Sequence, residues 1–241
     1  MKLDILFIAA HPDDVELGCA GTILKHVELG NKVGILDLTL GELGTRGSAE
    51  IREAEAKKAA EILGIDIREN LGFRDGFFRN DEYHQIRIIE KIRKYSPRIV
   101  VTNAYQDRHP DHGRASSLVF DACFLSGLPK IQTFDENGES QLANRPDLLL
   151  HMVQDNYIKP DILIDVTAFQ EQKMQAIRAY ESQFNSLNAD TDEPETYISK
   201  PDFLEVVVAR SREFGKAIHA TYAEGFLCRK LIGVNNLFDI K

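Results

Sequence analysis

The chain has 241 residues, 43% apolar and 28% charged, the composition of a folded protein rather than a disordered or collagen-like one. Lys and Arg number 29 against 38 Asp and Glu, a net charge of −9, which argues against a sequence-independent grip on nucleic acid or an anionic membrane. The longest clean apolar run, Ile5 to Ala10, falls far short of the roughly 20 residues that cross a bilayer, and Asp4 stands where a signal peptide carries positive charge; a cytoplasmic chain without a transmembrane helix is expected.

Leu3 to Ala10 is a short apolar run closed by His11-Pro12, where proline blocks further sheet pairing, and it reads as a buried first strand. Apolar residues at helical spacing from Asp13 to Leu29 predict a helix that Gly30 ends. A second strand follows over Lys32 to Thr39, then a Gly-rich loop from Gly41 to Gly47 and a helix from Ser48 to Leu63 stopped by Gly64. Ile65 to Leu71 predicts a third strand, Glu82 to Tyr95 a helix, Arg98 to Asn103 a fourth strand, and Gly113 to Leu125 a helix. The turn-rich stretch Gly127 to Pro146 reads as a surface excursion. Strands over Leu148 to Val153 and Ile162 to Val166 are followed by a helix over Gln170 to Ser182, a polar loop from Asn185 to Pro201 expected to be mobile near a site, and a helix from Asp202 to Ile218. Strand and helix alternate throughout, which predicts one α/β domain over residues 1–241: a Rossmann-like, doubly wound, mostly parallel sheet with helices on both faces.

Two clusters carry chemistry, His11-Pro12-Asp13-Asp14 and His109-Pro110-Asp111-His112, holding three of the seven histidines. Each follows the carboxyl end of an expected parallel strand and opens a helix, at the sheet edge where ligand sites gather. Imidazoles and carboxylates are available there and thiols are not; a catalytic zinc wants three protein ligands and an open position, and two His with one Asp meet that need. The plain alternative is that both motifs are capped turns, since Asp is a common helix cap. Cys19, Cys123 and Cys228 are widely spaced with no Cys-x-x-Cys pair, so neither a disulfide framework nor a cysteine zinc site is expected. His26, His84, His151 and His219 have no partner at ligand spacing.

The segment from Ala10 to Thr22, together with Arg108-His109-Pro110-Asp111-His112, resembles the PIG-L/LmbE-like family of zinc-dependent N-acetylglucosamine deacetylases. Within it, Gly41 to Gly47 and Tyr180 to Phe184 are similar to the branch that deacetylates N-acetylglucosaminyl malate in bacillithiol biosynthesis. The resemblance implies that His11, Asp14 and His112 bind Zn²⁺, that Asp13 is the general base on the attacking water, and that His109, oriented by Asp111, stabilises the oxyanion or protonates the leaving nitrogen. Fe²⁺ or another divalent ion fits the same ligands. Members of the mycothiol pathway place a tyrosine two residues before this histidine; here that position is Asp107, and Tyr197 is the candidate substitute. The resemblance also implies a small N-acetylated amino-sugar substrate and a homo-oligomer, a hexamer. Arg46, Arg52 and Arg108 are candidates for a malate carboxylate, because a planar guanidinium matches one, and Glu42 for sugar hydroxyls.

Three rivals stand beside this reading. A relative within the same family would act on a chitooligosaccharide or a glycolipid precursor, a choice made by substrate loops rather than by the motifs. A nucleotide-binding Rossmann-like module would lead from its first strand into Gly-x-Gly-x-x-Gly, whereas this chain leads into His11-Pro12-Asp13-Asp14. A non-haem iron oxygenase shares the set of two His and one carboxylate; the family resemblance, with the Asp13 base it implies, favours hydrolysis.

Overall fold

The computed structural model describes residues 1–184 and 194–239. Strands β1 (Ile5–Ala9), β2 (Val33–Thr39), β3 (Ile67–Phe73), β4 (Ile99–Asn103) and β5 (Leu148–Met152) run parallel, and β7 (Ala223–Cys228) pairs antiparallel with both β5 and β6 (Ile162–Asp165). The order across the sheet is β3-β2-β1-β4-β5-β7-β6. From β1 the chain builds outward through β2 and β3, then returns to place β4 on the other side of β1. The carboxyl ends of β1 and β4 therefore flank the switch point at which open α/β sheets bind ligands.

The expected mostly parallel, doubly wound architecture is the one observed. Alternation along β1 sends Leu6 and Ile8 to one face and Ile5, Phe7 and Ala9 to the other, all buried. The first face is covered by α3 (Glu82–Tyr95) and α4 (Pro110–Leu125), through Ile88, Ile92, Leu118 and Val119. The second is covered by α1 (Asp14–Glu28), through Val15, Ile23 and Leu24. Against α1 pack α2 (Ala49–Leu63) and α5 (Gln170–Arg178), the short α6 (Glu181–Phe184) lies against α2 and α5, and α7 (Phe203–Ala217) lies on β7. Among the described residues no helix is long and apolar enough to cross a membrane.

Four boundaries differ from the sequence expectations. Helix α4 begins at Pro110 rather than Gly113, since proline's fixed φ suits the first helical position and His109 provides the cap. The helix expected over Gln170 to Ser182 is broken at Ala179 and Tyr180, where the Tyr180 ring turns into the core. Strand β3 is displaced to Ile67–Phe73. Strand β7 was not anticipated, because Ala223, Glu224 and Gly225 are weak strand formers. Of the loop expected over Asn185 to Pro201, residues 185–193 lie outside the described ones.

Glu224 explains why β7 carries an acid in its interior. Helix α1 leaves helical geometry at Cys19 (φ −155°, ψ 25°), so its second half starts afresh with exposed backbone donors. Glu224 accepts from the N–H groups of Gly21 and Thr22 at 2.9 and 2.7 Å and from the Thr22 hydroxyl at 2.6 Å. Lys173 Nζ, equally buried, donates to it at 2.7 Å. Only glycine fits at position 21, since a Cβ there would lie 2.7 Å from the Val166 Cβ. The break confines Asp13, Asp14 and Glu16 to one turn whose direction is set apart from the rest of α1.

Removing this carboxylate strands a buried ammonium and the Gly21 and Thr22 donors, so Glu224→Ala is expected to cost about 3–5 kcal/mol. Equilibrium urea unfolding measures it; a loss below about 1 kcal/mol would mean the pair is dispensable.

Candidate active site

The loop after β1 turns at His11-Pro12, and Asp13 takes a positive φ of 118° before α1 begins at Asp14. This conformation is costly for a non-glycine residue. Its result is that two adjacent carboxylates face different partners. Asp13 Oδ2 meets Arg52 at 3.4 Å, and the same guanidinium nitrogen donates to Pro12 O at 3.3 Å. Gly41, at φ 64°, lets its loop close over that guanidinium: a Cβ there would sit 3.0 Å from Arg52. Burial nevertheless dominates at Asp13 and, against the pull of Arg52, pushes its carboxyl up to about 7.

Asp14 is bound from four directions. It accepts from the His11 N–H at 3.0 Å, from Asn103 Nδ2 at 3.1 Å and from Gln154 Nε2 at 2.7 Å, and it lies 3.1 Å from His112 Nε2. Asn103 also accepts from the Ala10 N–H at 2.9 Å, joining the ends of β1 and β4. Burial disfavours the Asp14 charge, but His112 and His11 hold its carboxyl well below the usual range.

His112 is fixed from behind, its Nδ1 2.7 Å from Asp107 Oδ2. Burial pulls this imidazole down, yet Asp14 and Asp107 together push it up to about 9. His11 lies between acids: Nδ1 is 3.5 Å from Asp14, and Nε2 is 3.0 Å from Asp75 and 3.4 Å from Asp111. His109 meets the His11 ring edge-on at 4.7 Å. Its Nδ1 accepts from the Asp111 N–H at 3.3 Å, which leaves Nε2 to carry the proton of the neutral ring. Burial and the neighbouring imidazoles lower its pKa.

Ligand atoms of His11, His109 and His112, and separately of His11, Asp75 and Asp111, lie within 4.8 Å of one another. Asp14 bridges His11 and His112. This nitrogen and oxygen donor set, with no thiol, fits zinc or another first-row divalent ion. The Asp107 contact leaves His112 Nε2 to face Asp14, the orientation a carboxylate gives a metal-binding histidine.

These groups open onto a cavity of about 310 Å³, lined by His11, Asp13, Asp14, His109 and His112 together with loop residues. The structure gathers the six residues of the two motifs, but it revises several substrate candidates. Arg52 lines the cavity with its guanidinium engaged by Asp13. Arg108 pairs with Asp155 Oδ2 at 3.1 Å and lies over the Tyr197 ring at 4.3 Å, while the Tyr197 hydroxyl donates to Asp155 Oδ1 at 3.2 Å. Tyr197 is therefore a rim residue tied to Asp155. Arg46 is directed to Ser182 O at 3.0 Å, away from the cavity lining. Glu42 accepts from the Asp75 N–H at 2.7 Å, so it braces a loop rather than facing sugar. The Asp111 carboxylate does not orient His109; it accepts from the Gly76 N–H at 2.8 Å and pairs with Arg114, and only its backbone reaches His109.

Asn103, Gln154, Asp75 and the Asp107 contact escaped the sequence reading. A signal existed for three of them, since Asn103 ends β4, Gln154 lies two residues past β5 and Asp75 two past β3. All three are polar residues at the carboxyl edge of a parallel sheet.

Two outcomes follow from this geometry. Asp107→Asn is expected to weaken divalent-metal affinity about 10- to 100-fold, as measured by competition with a chromophoric chelator; unchanged affinity would make Asp107 a turn residue only. In metal-stripped protein His112 is raised from 6.5 to about 9, so its contribution to stability is complete below pH 6.5 and lost as pH rises through 9. Tm of the stripped protein should therefore fall between about pH 7 and 9, and Zn²⁺ at pH 9 should restore it.

Comparisons with known proteins agree with this arrangement. The family model for GlcNAc-PI de-N-acetylase, PIG-L, matches residues 6–123. A diacetylchitobiose deacetylase from Thermococcus kodakarensis is 33% identical over 191 residues, 75% of this chain and 70% of the relative. A probable N-acetyl-alpha-D-glucosaminyl L-malate deacetylase 2 from Bacillus anthracis is 29% identical over 201 residues, covering 75% and 81% of the two chains. Among solved structures, the conserved protein TT1542 from Thermus thermophilus superposes with a TM-score of 0.84 at 35% identity, over 97% of this chain and 98% of that one. The sheet, the two His-Pro-Asp loops at its switch point and these similarities together make the chain a member of the PIG-L family of deacetylases, hydrolases of amide bonds.

Proposed function

We propose that the chain is a divalent-metal-dependent N-deacetylase of small N-acetylglucosamine conjugates, with His11, Asp14 and His112 as the metal ligands and Zn²⁺ as the ion. The observation that carries this reading is the pairing at one turn of a carboxylate locked among histidines, Asp14, with a neighbour turned elsewhere, Asp13, whose carboxyl stands near neutrality. A group at about 7 both takes and returns a proton near physiological pH. A bound divalent cation supplies polarisation of the amide carbonyl and acidification of its water.

Asp13 then accepts the proton of the attacking water and delivers it to the departing nitrogen. Arg52, which lines the cavity beside it, pairs with its carboxylate. His109, with its proton on Nε2, donates to the oxygen on which charge develops, and the Asp111 N–H keeps that tautomer in place. Water is added across the amide C–N bond, releasing acetate and the free amine.

The family resemblance and the Bacillus relative support N-acetylglucosaminyl malate as substrate. A specific observation favours a neutral aglycone instead, as in a chitooligosaccharide. Among the described residues, the two guanidinium groups of the cavity lining are engaged, Arg52 by Asp13 and Arg108 by Asp155. Residues 185–193 add no Lys or Arg. A dicarboxylate would have to compete with the acid already held by one of these guanidinium groups, whereas sugar hydroxyls would not.

Metal-reconstituted protein should release acetate from diacetylchitobiose with a higher kcat/KM than from N-acetylglucosaminyl malate, as read by an enzymatic acetate assay. The reverse order would return the malate conjugate to first place, and silence on both would remove the deacetylase reading. Asp13→Asn is expected to retain metal while kcat falls about a hundredfold or more; near wild-type turnover would take Asp13 out of the mechanism.

A further inference from the structure

Leu17 holds a particular place relative to the reacting groups. Its N–H donates to Asp13 O at 3.0 Å, so it lies one helical turn beyond Asp13 and on the same face as Asp14. Among the described apolar residues of the cavity lining, Leu43 and Tyr197 are exposed at the rim and Ile198 is half-buried, while Leu17 is buried, 9% exposed. The remaining wall near the histidines is carboxylate, imidazole and amide.

Two small pockets of about 20 and 10 Å³ adjoin Leu17 between α1 and α7, each with room for no more than about one water. Leu17 and Gln154 line the main cavity and both small pockets. Gln154 is pinned by Asp14 and Asn103. Leu17 is thus a buried apolar side chain shared by the cavity and both small pockets, with Val207 lining the two pockets beyond it.

We propose that Leu17 sets the length of the acyl group the enzyme removes. This rests on the deacylase reading above. An N-acyl sugar is polar except for its acyl carbon chain, and an amide carbonyl within reach of Asp13 and His109 directs that chain to the apolar surface nearest them. A methyl group ends against the Leu17 side chain. A propionyl or butyryl chain meets the Leu17 side chain instead, and the two adjoining pockets, at about 20 and 10 Å³, are too small to receive the added carbons. Shortening Leu17 joins the cavity to those pockets, lined further on by Phe203 and Val207.

The test uses Zn²⁺-loaded enzyme with N-acetyl-, N-propionyl- and N-butyrylglucosamine, which share one neutral sugar, and reads kcat/KM by amine release. Wild-type enzyme should lose about tenfold or more per added methylene. Leu17→Ala should raise the butyryl-to-acetyl ratio at least about tenfold, and Leu17→Val, which keeps more of the packing, should raise it by less. Val207→Ala enlarges the small pockets beside an intact Leu17 and should leave the ratio at its wild-type value. The proposal is overturned if Leu17→Ala or Leu17→Val lowers all three substrates in proportion, or if Val207→Ala alone shifts the preference. Wild-type activity on none of the three would instead defeat the deacylase reading, and the acyl-length role with it.

Discussion

The buried carboxylate of Asp14 is the constraint on which the site is built. A carboxylate removed from water costs several kcal/mol unless its lone pairs are met, and here the donors come from four places in the chain: the loop after β1, the end of β4, the segment after β5 and helix α4. Those segments are brought together because β1 lies between β2 and β4 and β4 lies beside β5. The sheet order thus delivers the donors, and the carboxylate fixes their mutual distances. The same arrangement pushes the His112 imidazole up to about 9, because Asp14 and Asp107 flank it.

Asp13, Asp14 and Glu16 crowd three acids into one turn, and a shared environment would make them repel. Each is instead given a different counter-charge by a different element. Asp13 takes Arg52 from α2; Asp14 takes the histidines; Glu16 takes Arg68 from β3 and the hydroxyl of Tyr180 at 3.0 Å. Arg68 in turn holds Asp37 on β2 at 2.8 Å. The turn is charged through and through yet locally neutralised. Arg52 and Arg68 are thereby committed to carboxylates of the protein itself.

Much of this was legible in the sequence, and the reasons for the remainder are physical. Apolar runs and Gly or Pro stops located β1, β2, β4, α2 and α3, and the expectation that His11-Pro12-Asp13-Asp14 and His109-Pro110-Asp111-His112 converge followed from strand ends alone. Partner choice did not follow. Whether Arg52 faces substrate or Asp13 depends on the fold of the Gly41 loop over it, and whether Arg108 is available depends on Asp155, far away in sequence. Strand β7 was hidden because its buried acid answers a buried lysine in α5 and a break in α1, none of which leaves a periodic trace. Asp107 reaches His112 across five positions, a spacing that belongs to the turn preceding α4 and not to a helix face.

Sequence spacing left open which of the adjacent aspartates belongs to the histidines, and the backbone at position 13 decides it. At an ordinary helical φ, Asp13 and Asp14 would both start α1 and project along neighbouring directions. The positive φ of Asp13 rotates its side chain toward α2 while Asp14, the first helical residue, points to the ends of β4 and β5. Such a conformation costs about 1–3 kcal/mol and persists because both carboxylates are held at their far ends. Relaxing it would bring two buried negative charges to the same side of the turn, against the same imidazoles. The strain and the division of labour between the two acids are therefore one feature: the backbone energy stored at Asp13 keeps its carboxylate, held near neutrality by burial, apart from the one that Asp14 commits to the histidines.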